Sequence, residues 1–278
     1  MSTADLKTLA TRHGPMLALP QDQFITRCLE IYGEFSPGEW ALLAQIIKPV
    51  MAVVEVGSNI GAHTVPMARA CAPGALYAFE PQQRVFQILC ANLALNGVTN
   101  VIASPDAVGA EPGTASIPPL DYSADGNFGG VSLQSTQAPG QKVRIIRLDD
   151  LDLPTLGLLK VDVEGFEVQV VTGAQATIRR CRPTLYIEND RPPHQRQLID
   201  LIHALDYRLY WHTPPLAGPG NFNGVTENVF GRSYVSINML GLPRERGTGT
   251  DLELIDPADP RLPVSLDPQR GPVGSTAA

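Results

Sequence analysis

From Met51 to His212 the chain alternates between short apolar runs rich in β-branched residues and longer segments of helical periodicity. The runs are MAVVEV, ALYAFE, NVIAS, LGLLKVDV, PTLYIEN and YRLYWHT. Most are separated by helix-like segments: GAHTVPMARACA, PQQRVFQILCANLALNG, GFEVQVVTGAQATIRR and HQRQLIDLIHALD. A continuous run such as MAVVEV suits a strand buried on both faces. Strands separated by helices imply a parallel sheet with crossovers on both sides, so the alternation predicts one doubly wound α/β domain. A final run of alternating character, SYVSINMLGLP, brings the expected sheet to seven strands.

The flanks read differently. Residues 1–48 predict a helical N-terminal cap: DQFITRCLEIYG spaces Phe24, Ile25, Cys28, Leu29 and Tyr32 at helical intervals, and SPGEWALLAQII opens on Ser-Pro. Residues 110–147 interrupt the rhythm with Gly, Pro, Ser and Asp, and KVRIIRLDDL reads as one arm of an inserted hairpin. From Pro243 the composition turns to Pro, Gly, Asp and Thr without periodicity, which predicts an extended tail over 243–278 beyond a sheet domain over 49–242. A net charge of −7 disfavours nucleic acid and anionic membrane as partners. No apolar run is long enough to cross a bilayer, and the first residues lack the apolar core of a signal peptide. Cys28, Cys71, Cys90 and Cys181 have no metal-site spacing and read as free thiols, consistent with a cytoplasmic protein.

In a doubly wound sheet, ligands bind beyond the carboxyl ends of the strands. The first strand-to-helix turn is Glu55-Val56-Gly57-Ser58-Asn59-Ile60-Gly61. Gly57 and Gly61 allow close backbone approach, and Asn is among the few residues that tolerate a left-handed conformation. A dinucleotide fingerprint needs Gly where Asn59 stands, so that a pyrophosphate can reach the helix amides. Glu80, ending ALYAFE before Pro81, is placed to accept ribose hydroxyls, and Asp106, before Ala107, to receive an adenine amino group. Three acids with a glycine pair suit a phosphate-free, positively charged adenosine cofactor, S-adenosylmethionine. Glu34, in Tyr32-Gly33-Glu34-Phe35, is expected to cover that cofactor from the other side.

VVEVGSNIGAHT, LYAFEP, NFGG, LLKVDVEGFE, RPTLYIEND and ENVFG…SINML together resemble the FkbM family of S-adenosylmethionine-dependent methyltransferases, over roughly Tyr32 to Leu242. The resemblance implies a class I methyltransferase fold with an antiparallel last strand, and O-methylation of a hydroxyl on a sugar, polysaccharide or macrolide. The family mostly carries Asp-x-Gly-Ala-Asn-x-Gly in the first loop, so Glu55 and Ser58 are conservative departures.

Methyl transfer to an alcohol needs a base or a metal to remove its proton. Two strand ends offer acids: Asp162-Val163-Glu164-Gly165 and Glu188-Asn189-Asp190. Asp162, Glu164 and Glu188 are the expected catalytic carboxylates, and Asp162, Glu188 and Asn189 the expected ligands if Mg²⁺ is used. The plainer alternative has Asp162 positioning the cofactor, Glu164 capping a helix and Glu188 pairing with Arg191. Asn127 and Phe128, in the polar Asp121–Gly130 insertion, and Trp211 and His212 are expected to touch the acceptor, with core or rim packing the plainer reading of Trp211; His63, which opens the first helix and could reach the methyl site, reads rather as a surface polar group. The expected partner is a hydroxylated small molecule or glycan, and a homo-oligomer is compatible with the sequence. The rival readings are a nicotinamide-dependent oxidoreductase and a non-catalytic domain that keeps the fold.

Overall fold

A computed structural model describes residues 6–230, 235–247, 249–258 and 260. The chain opens with a hairpin, β1 (Lys7–Thr11) and β2 (Gly14–Ala18), then α1 (Ile25–Tyr32) and α2 (Pro37–Ile46). Next come β3 (Val53–Val56), α3 (Thr64–Cys71), β4 (Leu76–Phe79), α4 (Gln83–Leu95) and β5 (Val101–Ser104). The insertion forms its own sheet from β6 (Ala107–Val108), β7 (Gly113–Ile117) and β8 (Gln141–Ile146), with β8 central. The alternation then resumes with β9 (Leu158–Val161), α5 (Glu167–Thr172), α6 (Gln175–Cys181), β10 (Thr184–Glu188), α7 (Pro192–His203) and β11 (Tyr207–His212). The described chain closes with β12 (Asn238–Pro243) and β13 (Glu253–Leu254).

The central sheet runs β13-β11-β12-β10-β9-β3-β4-β5. Strands β10, β9, β3, β4 and β5 pair in parallel, while β12 is antiparallel to both β10 and β11. The chain enters at β3, moves outward to β4 and β5, and returns to β9 on the other side of β3. The order therefore reverses between β3 and β9, and a doubly wound sheet binds its ligand at that reversal.

Three sequence expectations change. The sheet has eight strands rather than seven: residues within the expected tail pair with Tyr210 and Trp211, and Ile255 is buried as its N–H bonds the Leu209 carbonyl at 2.8 Å. The cap is mixed rather than helical, because Lys7–Ala18 folds back on itself with Gly14 at φ +113°. The segment GFEVQVVTGAQATIRR divides into α5 and α6 at Gly173, where a Cβ would stand 2.0 Å from the Gly109 carbonyl oxygen. Of SYVSINMLGLP, Ser233 and Tyr234 lie outside the described residues, as does 261–278 of the tail. All four cysteines are free. Among the described residues no helix is long and apolar enough to cross a membrane.

Side-chain alternation sorts each strand between two cores. Val54, Val56, Leu159, Val161, Leu185 and Ile187 pack toward α5–α7 with Val170, Ile178, Leu198 and Ile202. Val53, Leu76, Leu158, Tyr186, Tyr210 and Leu240 pack toward α1–α4 with Leu29, Leu43, Val65 and Ile88. The same period turns Glu55, Lys160, Glu188, His212 and Asn238 to the α1–α4 side. Asn92, fully buried on α4, fixes the cap to this side: its amide exchanges two bonds with the Leu17 backbone (2.6 and 2.9 Å) and donates to the Ile60 carbonyl (2.8 Å).

Candidate active site

The glycine loop leaves β3 at the sheet reversal. Gly57 has φ +88°, and a Cβ there would lie 1.8 Å from the Asp162 carbonyl oxygen, so only glycine lets the ends of β3 and β9 meet. Asn59 takes the left-handed conformation expected of it, at φ 47°. Its N–H donates to Glu80 Oε2 (3.0 Å), and its Oδ1 accepts the Ile60 N–H (2.7 Å). Gly61, at φ +93°, opens the turn into α3. Ser58 is buried, with Oγ donating to the Glu55 carbonyl at 3.4 Å.

The expected cofactor acids meet different fates. Glu80 stays at the loop, its carboxylate accepting the Asn59 and Gln82 N–H groups, and Pro81 beside it accepts Gln141 Nε2 at 2.8 Å. Glu55 points inward: it is 1% exposed and accepts the Thr64 hydroxyl at 2.6 Å, fastening strand to helix. Asp106 is gripped by Arg144 Nε and Nη2 (2.8 and 2.7 Å) and Ser104 Oγ (2.7 Å), so an adenine amino group would have to share an occupied carboxylate. Ala107 is buried at the start of β6. Glu34 is buried in an ion pair with Arg12.

Burial pushes both Glu55 and Glu80 up to about 7. In the unfolded chain each titrates near 4.5. Between those values the folded state holds protons that the unfolded state has released, so stability is full below the lower pKa and falls as pH rises through the upper one. Each group contributes up to roughly 3 kcal/mol to that slope. Urea unfolding across this window should show the decline in the wild type and a flatter one in Glu80→Gln; equal slopes would contradict it.

Asp162, Glu164 and Glu188 come together as expected, each offering one oxygen within 4.8 Å of the others. Glu188 Oε2 is enclosed and bonds to no partner among the described residues. Burial, followed by the Asp162 charge, raises Glu164 to about 8 and Glu188 well above the carboxylate range. Arg191 pairs with Glu164 and Asp190 instead of Glu188, and the loop amides of Val163 and Gly165 bond Glu167, not Glu164. Three hard oxygen ligands fit a divalent cation. Asn189 does not join them: its buried amide donates to Gln195 O (3.4 Å) and Met239 Sδ (3.2 Å), and Glu164 stands in its place.

The acceptor residues divide in the same way. Trp211 is 4% exposed in the α5–α7 core, because a period of two sends it to the face opposite His212. His212 meets the Tyr186 hydroxyl through Nδ1 at 2.8 Å. Phe128 is 5% exposed, packed on Tyr122 with ring centroids 4.8 Å apart, so it anchors the insertion. Asn127 closes its own turn, Oδ1 accepting the Gly130 N–H at 2.9 Å. That turn does lie beside the glycine loop, since a Cβ on Gly129 would be 2.9 Å from Asn59 Nδ2.

Sequence reasoning missed Lys160 and Glu39 and misplaced His63. Lys160 is 2% exposed, with Nζ 3.1 Å from Asp162 Oδ2. A lysine inside the apolar run LLKV was the available signal, since an unpaired lysine is almost never fully buried. Glu39 on α2 is 2% exposed, and His63, read as a surface group, is 6% exposed. Helical periodicity alone did not mark Glu39, because its burial depends on packing outside its own helix.

Residues 55–209 match the FkbM methyltransferase domain, a little over half of the chain. Methyltransferase 1 of Beauveria bassiana (strain ARSEF 2860) is 31% identical over 143 residues, 44% of this chain and 57% of that protein. Methyltransferase sdnD of Sordaria araneosa is 28% identical over 190 residues, 54% of this chain and 70% of that protein. Among solved structures, an FkbM methyltransferase from Methylobacillus flagellatus KT superposes with a TM-score of 0.44 at 14% identity, covering 73% of this chain and 50% of its own. With the domain match spanning β3 to β11, through the glycine loop and the carboxylate trio, this chain belongs to the FkbM methyltransferase family.

Proposed function

We propose that the protein is an S-adenosylmethionine-dependent O-methyltransferase acting on a hydroxyl of a sugar, glycan or other hydroxylated natural product. The observation that carries the reading is the convergence of Asp162, Glu164 and Glu188 beside the glycine loop at the reversal of strand order. When bound, S-adenosylmethionine supplies an electrophilic methyl group on a sulfonium. Gly57, Ser58, Asn59 and Gly61 line the loop that would take its amino-acid end, Glu80 and Pro81 would face its ribose, and Asp106, shared with Arg144, and the neighbouring Ala107 would face its adenine.

An alcohol attacks poorly until its proton is drawn away. The carboxylate trio supports that role once a bound cation or ligand brings Glu164 and Glu188 down from the raised values that burial and the Asp162 charge give them, because only the ionised carboxylate can take the proton. The same three groups would hold a divalent cation such as Mg²⁺, whose charge would acidify the hydroxyl. The nicotinamide alternative fares worse: the Asn59 N–H is bonded to Glu80 and the Ile60 N–H to Asn59 Oδ1, so the amides a pyrophosphate needs are already engaged.

Calorimetric titration with S-adenosylhomocysteine, with NAD in parallel, tests the cofactor. Heat from the former alone is expected; heat from NAD alone would refute the reading. Titration with Mn²⁺, followed by its electron paramagnetic resonance, then tests the trio. Binding is expected in the wild type and lost in Glu188→Gln, and its absence from the wild type would leave a carboxylate as the direct proton acceptor.

A further inference from the structure

Between the N-terminal hairpin and the starts of α2 and α3 lies a cavity of about 180 Å³ that the reading above does not use. That is the liquid volume of about six water molecules, below the usual range for drug-sized ligands, so it suits a single ring. Its walls are aromatic. Trp40 receives His13 edge-on at 5.3 Å, and Phe35 stands 5.5 Å from the His63 ring. Met16 and Leu29, both buried, complete the apolar lining.

The cavity is electrically neutral. Its two charged lining residues, Arg12 and Glu34, pair with each other, and Arg12 Nη2 also donates to the Gly220 carbonyl at 2.8 Å. Burial holds His13 down at about 4 and lowers His63 as well, so both imidazoles are uncharged at neutral pH. A phosphate entering here would shed its water and find no free cation among the described lining residues to replace it.

One polar group is unspent. His63 is 6% exposed, the Phe35 backbone is a hydrogen-bond partner of its ring, and Nε2 has no partner among the described residues. An atom left buried and unpaired is unfavourable, and a ligand hydroxyl would satisfy it. His63 lies two residues beyond Gly61, so a ring held by it is held at the glycine loop.

We propose that this cavity is the acceptor subsite, that it selects a neutral, single-ring alcohol over phosphorylated acceptors, and that His63 Nε2 meets one ring hydroxyl. The proposal rests on the methyltransferase reading. The chain has two tryptophans, Trp40 in the cavity wall and Trp211 in the core, so intrinsic fluorescence reports on the cavity. With S-adenosylhomocysteine present, the probes are methyl β-glucopyranoside and trans-1,2-cyclohexanediol, set against glucose 6-phosphate and UDP-glucose.

The neutral probes should give a saturable change, absent in Trp40→Phe and in the cavity-filling Ala62→Leu, with phosphorylated probes at least about tenfold weaker. His63→Gln should weaken the neutral probes about tenfold, the worth of one hydrogen bond, with S-adenosylhomocysteine affinity unchanged. If S-adenosylhomocysteine binds but no neutral probe saturates, or the phosphorylated ones bind equally well, the subsite is wrong while the methyltransferase reading stands. If S-adenosylhomocysteine fails to bind, that reading falls, and the naming of the cavity as an acceptor subsite falls with it.

Discussion

Lys160→Met is expected to destabilise the protein by about 3–5 kcal/mol at about pH 8, and by distinctly less at about pH 5.5. Lys160 is enclosed, bonded to Asp162 and held charged by Asp162, Glu55 and Glu39, whose attraction outweighs its burial and raises its pKa. Methionine matches the stem in length and removes the charge, leaving buried carboxylates without their cation. Glu55, already pushed up to about 7 with the lysine present, is driven further toward its neutral form. At lower pH such carboxyls carry protons and the missing cation matters less, which sets the sign. Chemical unfolding at the two pH values checks it. A loss of stability independent of pH would mean that Lys160 serves by packing alone.

Gly57→Ala is expected to lower affinity for S-adenosylhomocysteine by about 100-fold or more, a loss of about 2.7 kcal/mol. A Cβ at this position would stand 1.8 Å from the Asp162 carbonyl oxygen and 2.9 Å from its carbon. The backbone of β3 or β9 must move, and either movement displaces the glycine loop relative to Asp162 and so to the carboxylate trio. The backbone strain of an L-residue at positive φ adds roughly 1–2 kcal/mol. Gly97→Ala isolates the two effects, because Gly97 also has positive φ, at +63°, yet a Cβ there meets nothing within 4 Å. The control should lose a little stability and keep its affinity. Calorimetry on both variants decides the matter, and equal affinities would remove Gly57 from the cofactor loop.

The parts of the site legible in the sequence are those built by local chemistry. A strand-to-helix turn with Gly57, Asn59 and Gly61 declares its own backbone, and the structure places all three at positive φ. Acids that end neighbouring parallel strands must lie near one another, so Asp162 and Glu188 could be paired without a model of the fold. What local pattern does not give is the aim of individual side chains. Asp106 is taken by Arg144, 38 residues away across the inserted sheet. Trp211 and His212 are neighbours in the chain and occupy opposite faces, so only the register against β12 says which one meets the site. The hairpin at Lys7–Ala18 and the edge strand at Glu253–Leu254 were hidden because short strands draw their stability from partners, not from their own periodicity.

The sequence by itself determined the doubly wound class, the glycine loop and the class of acids at the strand ends, because hydrophobic period and turn stereochemistry act over a few residues. Only the tertiary structure decided that Lys160 on β9 and Glu39 on α2 are both buried, that Asn189 turns away from the carboxylates, and that the cap encloses a neutral aromatic cavity. Burial and charge pairing depend on what a distant segment brings against a side chain, and no local pattern records that.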